Sequence, residues 1–524
     1  MLGSELSHFK DSQTDSRYVQ TEGVKHHSLS PRSVSLGLVF VALACLIFAD
    51  TSSFSAEPWQ ELSRIAYGFI SPTLLSSSDL FSSLANTLAF ALLGVGAAAI
   101  LGMLLTHLFE WRIIRLACAF IRSIHELFWA LLFLQVFGLS TLTGLLAIII
   151  PYTGIFAKVY AEILDENDQS AYRQLPQQTD RYSAHLYARL MSSWPQLVHY
   201  TQYRLECGIR SSSILGFVGL PTLGFHLVSY FKQGDYSEAA GVLYVFIAVI
   251  ALMRFWTRKK YLLPLAVAAI IWLPFQTSVD LDLLQRFFTH DILPSPLRQE
   301  EGIYSFEVWQ QTLDWSIKLF NEQALIGIWN TLLLTQIALV GSGLLALILY
   351  PLISPLFFSS KQRMGGHLFL LVLRSIPELV LAFVVLLMTG PSMIPAIIAL
   401  SLHNGAIIAF LIGRYTETIK LRVDGPVGVD RYTYEVTPRI YKPFLAFLFY
   451  RWEVILRESA ILGILGIQTL GFFIDSAFEE LRFDRALFLI LITAALNILV
   501  DSASRAIRQK LRLSTAPSTL EDVV

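Results

Sequence analysis

The sequence predicts an all-α, polytopic membrane protein: about 12 transmembrane helices in two parallel six-helix repeats. Three observations predict it. Hydrophobic residues make up 54% of the 524 and charged residues only 15%, more apolar surface than a water-soluble exterior accommodates. The apolar residues gather into runs long enough to cross a bilayer. The second half of the chain repeats the first. Net charge is −1, so no basic balance points to nucleic acid. Cys45, Cys118 and Cys207 all lie in apolar stretches and read as small core residues, not a disulfide framework.

Candidate spans fall near 33–50, 82–108, 116–138, 143–164, 193–219 and 239–254. A second set falls near 260–276, 328–357, 367–389, 391–413, 444–474 and 486–504. Residues 1–30 are polar and read as an amino-terminal cytoplasmic tail, 31–256 as the first repeat, 257–512 as the second, and 513–524 as a carboxy-terminal tail. Trp59–Ile70 and Phe306–Leu325 are amphipathic segments suited to lying flat at a membrane surface. Most of the 39 Lys and Arg fall on one set of alternate loops, among them Arg112, Arg115, Lys361 and Arg363. The positive-inside rule makes that side cytoplasmic, with both termini on it.

The repeat is specific. Tyr203-Arg204, Glu206, Arg210, Ile214-Leu215-Gly216, Gly219 and Thr222-Leu223-Gly224-Phe225 recur 247 positions later. The second copy reads Tyr450-Arg451, Glu453, Arg457, Ile461-Leu462-Gly463, Gly466 and Thr469-Leu470-Gly471-Phe472. Apolar composition alone would not align two arginines, a glutamate and three glycines. Arg122-Ser123-Ile124-His125-Glu126-Leu127 echoes Arg374-Ser375-Ile376-Pro377-Glu378-Leu379, and Asn86-Thr87-Leu88 echoes Asn330-Thr331-Leu332. Six spans per half keep both copies in one orientation, with a pathway between them.

Charges at membrane depth are costly unless paired or hydrated. Each half carries the same set: Arg122, Glu126, Arg204, Glu206 and Arg210, then Arg374, Glu378, Arg451, Glu453 and Arg457. On continuous helices Arg122–Glu126, Glu206–Arg210 and their second-half counterparts are i,i+4 neighbours. Two readings stand: intramembrane ion pairs that fix packing, or cations facing a hydrated path for an anion, best for Arg210 and Arg457. Gly216, Gly219, Gly463 and Gly466 suit either close backbone contact or a helix break beside a pathway.

No G-x-x-x-x-G-K-[ST] segment occurs, so nucleotide hydrolysis is not expected of this chain alone. His125-Glu126 lacks the second histidine of a zinc-protease helix, and His26-His27 is a lone pair in a polar tail. No metal site, cofactor or catalytic residue is expected. An ion-driven secondary carrier and a membrane-embedded enzyme or scaffold remain as other classes.

The Arg-Ser-Ile-x-Glu-Leu segments resemble the permeases of phosphonate-type ABC importers. So do Tyr200-Thr201-Gln202-Tyr203-Arg204-Leu205-Glu206, Arg210-Ser211 and Leu215-Gly216-Phe217-Val218-Gly219. The resemblance covers about 80–240 and 325–490, with His125 in place of the usual proline. It implies the ABC importer permease fold, with two normally separate subunits fused, so that one copy of this chain serves each complex. It implies two ATPase subunits that bind ATP and Mg, a periplasmic binding protein, and a bacterial inner-membrane location amid lipid, with no nucleic acid. The substrate would be phosphonate or a related small oxyanion; an importer of another solute, such as an amino acid or osmolyte, is the alternative. The ATPases would dock on the loops 165–192 and 414–443. Glu162, Asp168 and Gln178 mark the first loop; Glu417 and Gly425 mark the second. Gln178 stands where such loops carry a glycine, and Gly425 retains it, with positive φ expected there.

Overall fold

The computed structural model describes residues 30–52, 57–166, 174–176, 178–274, 280–298, 305–511 and 513. Asp168 and nearly all of both tails lie outside the described residues. The regular structure among them is helical. The first half runs α1 (Pro31–Phe48), α2 (Pro58–Ile70), α3 (Ser77–Thr106), α4 (Arg112–Ser123), α5 (Glu126–Phe137), α6 (Thr141–Glu166), α7 (Trp194–Ile214), α8 (Leu223–Gln233) and α9 (Tyr236–Ala251). The second runs α10 (Lys259–Trp272), α11 (Phe306–Leu319), α12 (Leu325–Leu349), α13 (Ser360–Ser375), α14 (Glu378–Thr389), α15 (Ile394–Tyr415), α16 (Thr437–Ser459), α17 (Leu470–Glu479) and α18 (Phe483–Lys510). From α3 to α9 and from α12 to α18 the order matches helix for helix.

Six helices among the described residues are long and apolar enough to cross a bilayer, or up to nine if each bent pair is one span. The protein is a polytopic helical membrane protein. Three expected spans differ in form, 444–474 being bent by 47° between α16 and α17. The stretch 116–138 is two helices, α4 and α5, meeting at 89°, and 367–389 is α13 and α14 meeting at 88°. Another expectation fails at Phe306–Leu325. α11 does not lie apart from the next span but runs into it through a widened turn at Phe320–Ala324, within one 48-residue helix. At 1.5 Å per residue that helix is about 70 Å long, so part of it projects beyond ~30 Å of hydrocarbon.

Each half is centred on one helix pair, α3 with α6 and α12 with α15. Small residues set the separation: Gly94 faces Ile148 and Gly102 faces Phe156, where a Cβ would collide. Between helices in lipid, such backbone approach supplies the packing energy. The leading helix of each half crosses to the other half. α1 packs on α12, where Tyr441 donates to Ser35 at 2.6 Å and Met393 N donates to Asp50 O at 3.0 Å. α10 packs on α3, where Thr141 donates to Pro274 O at 2.7 Å and Trp272 to Asn86 at 2.9 Å. Met393 and Thr141 are equivalent positions, 252 apart, so the exchange is reciprocal.

The repeated Arg-Ser-Ile-x-Glu-Leu segments are the breaks themselves. Pro377 cannot continue a helix and caps the start of α14. In the first half the His125 side chain does this work, accepting from Leu127 N at 3.2 Å. Glu126 and Glu378 then open the new helices, where the amino-terminal dipole favours a carboxylate. The break places Arg122 and Glu126 on different helices, so the expected i,i+4 pairs Arg122–Glu126 and Arg374–Glu378 do not form.

The repeated Asn-Thr and glycine residues build a second shared feature, the turn from α7 to α8 and from α16 to α17. Asn86 donates to Pro221 O and Asn330 to Gln468 O, both at 2.8 Å. Thr87 accepts from Leu223 N at 2.9 Å, and Thr331 from Leu470 N at 3.1 Å. Gly219 and Gly466 turn the chain at φ +101° and +81°. A Cβ on Gly216 or Gly463 would overlap the backbone of Phe225 or Phe472, and one on Gly224 or Gly471 would overlap Ser213 O or Ala460 O. The collisions are with backbone and cannot be relieved by a rotamer change. Replacing Gly224 by Ala should therefore cost about 1–3 kcal/mol or more. Gly96, with nothing within 4 Å of a built Cβ, should tolerate the same change. Thermal unfolding of the purified protein in detergent checks this; equal melting temperatures for the two variants would refute the close-contact assignment.

Candidate translocation site between the halves

The charges at membrane depth converge where the halves meet. Arg122, at the end of α4, bonds Glu453 of α16 and, at 2.6 Å, Asp501 of α18. Lys158 of α6 reaches Asp501 at 3.9 Å. The equivalent pair, Arg374 with Glu206, stands at 3.7 Å, and Arg374 rests on the Phe410 ring at 4.3 Å. Both pairs cross from one half to the other. Arg210 and Arg457 also cross over. Arg457 donates to Arg122 O at 3.0 Å and Arg210 to Arg374 O at 3.3 Å. These carbonyls lie at the broken ends of α4 and α13, where the last turn has no helical donors left. Asn497 does the same for Ser123 O at 2.7 Å. The pairs Glu206–Arg210 and Glu453–Arg457 suggested by spacing do not form, because each glutamate is drawn to an arginine of the other half.

Next to the second break, Glu378 Oε1 lies 2.9 Å from His403 Nε2 and 3.7 Å from Arg210. Arg210 Nη1 is 2.5 Å from the same ring nitrogen. That nitrogen can donate to the carboxylate or accept from the guanidinium, one at a time. Glu378, His403 and Glu458 offer ligand atoms within 4.8 Å of one another. The Arg210 guanidinium already sits against two of the three, so the cluster is closed on a protein cation. Arg451 Nε donates to Asn404 Oδ1 at 2.7 Å, Arg451 Nη2 lies 3.5 Å from Glu458, and Asn404 donates to Glu458 at 2.9 Å. Arg204 instead stacks on the Tyr152 ring at 4.6 Å.

These groups surround a cavity of about 90 Å³. Its lining includes Arg122, Lys158, Arg204, Arg210, Arg451 and Arg457 against Glu126, Glu378, Glu453 and Glu458. Asp501 behind Arg122 offsets one of the two excess cations, and the remaining excess is positive. Of the sequence-predicted set, Arg374 and Glu206 form their pair without lining the cavity. Gly216, Gly219, Gly463 and Gly466 do not line it either; they shape the turns after α7 and α16. Sequence reading missed Lys158, His403, Asn404, Glu458 and Asp501. Their signal is a polar or charged side chain inside an apolar helix, without an echo in the other half.

The two loops singled out from sequence are held differently. In the first, Glu162 is exposed and 3.9 Å from Lys158, Asp165 pairs with Arg189, and Gln178 lies exposed in a turn. His185 contacts Thr106 at 3.2 Å, and His107 stacks on Tyr182. Burial, with Arg189 and His107 nearby, pushes His185 below the usual imidazole range and favours the neutral ring. In the second loop Glu417 bonds Arg414 at 3.2 Å, and buried Glu435 accepts from Arg422 N at 2.9 Å. Gly425 does not have positive φ, contrary to expectation; Gly428 does, at +64°. What Gly425 provides is space, since a Cβ there would lie 2.5 Å from Glu435 Oε2. Tyr187 and Tyr434, equivalent positions, both project from these loops into solvent.

A charge-lined chamber thus lies within two repeated bundles of apolar helices. No family model matches the chain, and no solved structure does. Over 471 residues, 81% of this chain and 84% of the relative, it is 25% identical to the phosphate-import permease protein PhnE of Mycolicibacterium smegmatis. It is 26% identical over 185 residues to the phosphite transport system permease protein PtxC of Stutzerimonas stutzeri, covering 32% of this chain and 66% of that one. The putative cryptic phosphonate transport system permease protein PhnE2 of Escherichia coli is 22% identical over 116 residues, 22% of this chain and 95% of that one. The chain is thus similar to permeases of phosphate, phosphite and phosphonate import or transport systems.

The cross-half pairing has a direct test. Arg122→Gln leaves the part-buried Glu453 without its arginine and buried Asp501 with only Arg505 and Lys158, a loss of about 3–5 kcal/mol, and should sharply reduce the yield of folded protein. Adding Glu453→Gln should restore part of it, while adding Glu126→Gln should not. Fluorescence-detected size exclusion measures the yield. Rescue by Glu126→Gln in place of Glu453→Gln would contradict the cross-half assignment.

Proposed function

We propose that this chain is the translocation unit of an ABC importer for phosphonate or a related small oxyanion. The observation that carries the reading is the cavity enclosed by both halves, in which guanidinium and ammonium groups outnumber carboxylates. In a low-dielectric bundle that excess lowers the barrier for an anion. The relatives named above are import or transport-system permeases for phosphate, phosphite and phosphonate, which supports the same class of cargo. A zwitterionic amino acid or a cationic osmolyte fits the positive excess less well.

Each half contributes one loop with an exposed tyrosine at the same position. Two such loops suit two ATPase subunits, which would bind ATP and Mg, with this chain supplying no nucleotide site of its own. Because the halves already exchange α1 and α10, one copy of the chain completes the bundle. A periplasmic binding protein would deliver the oxyanion from the opposite face. The lysine and arginine distribution supports both termini being cytoplasmic, and the likeness to bacterial import permeases supports an inner-membrane location.

The test is a complex purified with its ATPase and binding protein and reconstituted into liposomes. Uptake of methylphosphonate, phosphite or phosphate should depend on ATP, and native mass spectrometry should give two ATPases per chain. Two copies of this chain per complex, or uptake unaffected by removing ATP, would contradict the proposal.

A further inference from the structure

We infer that the oxyanion is held in the chamber from one side only, by Arg204, and that its symmetry mate Arg451 is withdrawn from that role. The inference rests on the oxyanion reading above and assigns the contact within it.

Arg204 and Arg451 occupy equivalent positions, and both line the cavity. Their surroundings differ at two equivalent places. Tyr152 of α6 corresponds to Asn404 of α15, and Ser211 of α7 corresponds to Glu458 of α16. In the second half, amide and carboxylate close on the arginine. Asn404 accepts from Arg451 Nε, Glu458 stands 3.5 Å from Arg451 Nη2, and the side chain is 6% exposed. Its charge is already answered.

In the first half the same two places hold an aromatic ring and a hydroxyl, which bond each other at 2.9 Å. Arg204 has no carboxylate within ion-pair distance among the described residues. Its guanidinium lies over the Tyr152 ring, and its buried Nε has no hydrogen-bond partner. Glu126 is engaged elsewhere, by His125 at 3.4 Å and Ser211 at 3.5 Å. A guanidinium at this depth without a counter-charge is costly, and a bound anion removes that cost. A cation–π contact holds the group in place without neutralising it. Of the other cavity cations, Arg122 pairs with Glu453 and Asp501, Arg210 with Glu378 and His403, and Lys158 reaches Asp501 and Glu162; Arg457, like Arg204, has no carboxylate within ion-pair distance among the described residues, but it is tied down by its bond to the Arg122 carbonyl. The ligand is thus a small oxyanion presenting two or three acceptor oxygens to one guanidinium fork. Contact through one arginine, with no matching clamp opposite, also leaves release unhindered.

The experiment uses the complete reconstituted complex, with radiolabelled methylphosphonate, phosphite and phosphate as probes. Arg204→Gln should reduce initial uptake about tenfold or more, as loss of a charge-assisted contact does. Ser211→Glu should do the same with Arg204 intact, by placing beside it the carboxylate that Arg451 has in Glu458. The double variant Arg451→Gln/Glu458→Gln removes a pair together and should lose only about twofold or threefold. Rates are normalised to the amount of assembled complex, and Ser211→Glu gives the answer should Arg204→Gln fail to assemble. Loss in the Arg451/Glu458 variant as large as in Ser211→Glu would overturn the one-sided assignment, as would full uptake by Ser211→Glu. If the unaltered complex takes up none of the three probes, the oxyanion reading falls, and this inference falls with it.

Discussion

A buried arginine in a lipid-embedded bundle needs a partner, and here its partner belongs to the other half of the chain. Arg122 is 6% exposed and bonds Glu453 and Asp501; Arg374 faces Glu206. Much else follows from that constraint. The arginines can reach across because α4 and α13 stop at sharp breaks and present their ends to the axis. The breaks leave carbonyls without helical donors, and Arg457 and Arg210 of the opposite halves supply them. Breaks, pairs and caps form one unit, so a change in any of them is felt by both halves.

The symmetry of this unit is incomplete in an informative way. Arg122 carries two carboxylates with Lys158 behind one of them, whereas Arg374 carries one distant carboxylate and an aromatic ring. Histidines enter from different places: His125 precedes Glu126 in the chain, while His403 reaches Glu378 from α15. A homodimer would have to repeat each local solution on both sides. One chain with two halves is free to make one side a tight lock and leave the other looser. It can likewise leave one of two equivalent arginines open to a ligand.

Much of this was legible in the sequence because identical residues at constant offset mark geometry that both halves require. Asn86-Thr87 and Asn330-Thr331 recur since each clamps the turn after a long helix. Gly216 and Gly463 recur since a Cβ there would strike backbone. The charges were legible as a set but not as pairs. Helical spacing suggested Arg122–Glu126 and Glu206–Arg210, and the breaks defeat the first while inter-half attraction defeats the second. Pro377 was a visible sign of a break; His125, capping through its side chain, concealed the same break in the first half. Asp501, Glu458 and His403 escaped notice because they have no echo. The isolation of Arg204 depends on what stands around it in three dimensions, which no spacing along the chain reveals.

The claim that the halves are one interlocked unit is tested most directly by cutting the chain between Trp256 and Thr257 and expressing the pieces separately and together. Each piece alone would expose its half of the ion pairs and lose the helix that the other half wraps around it. The account expects neither piece to yield folded protein alone, and co-expression to give a stable one-to-one complex that runs with the intact chain on size exclusion. Either piece accumulating by itself as a folded monomer, with the slow hydrogen exchange of the intact protein in α6 or α15, would contradict it.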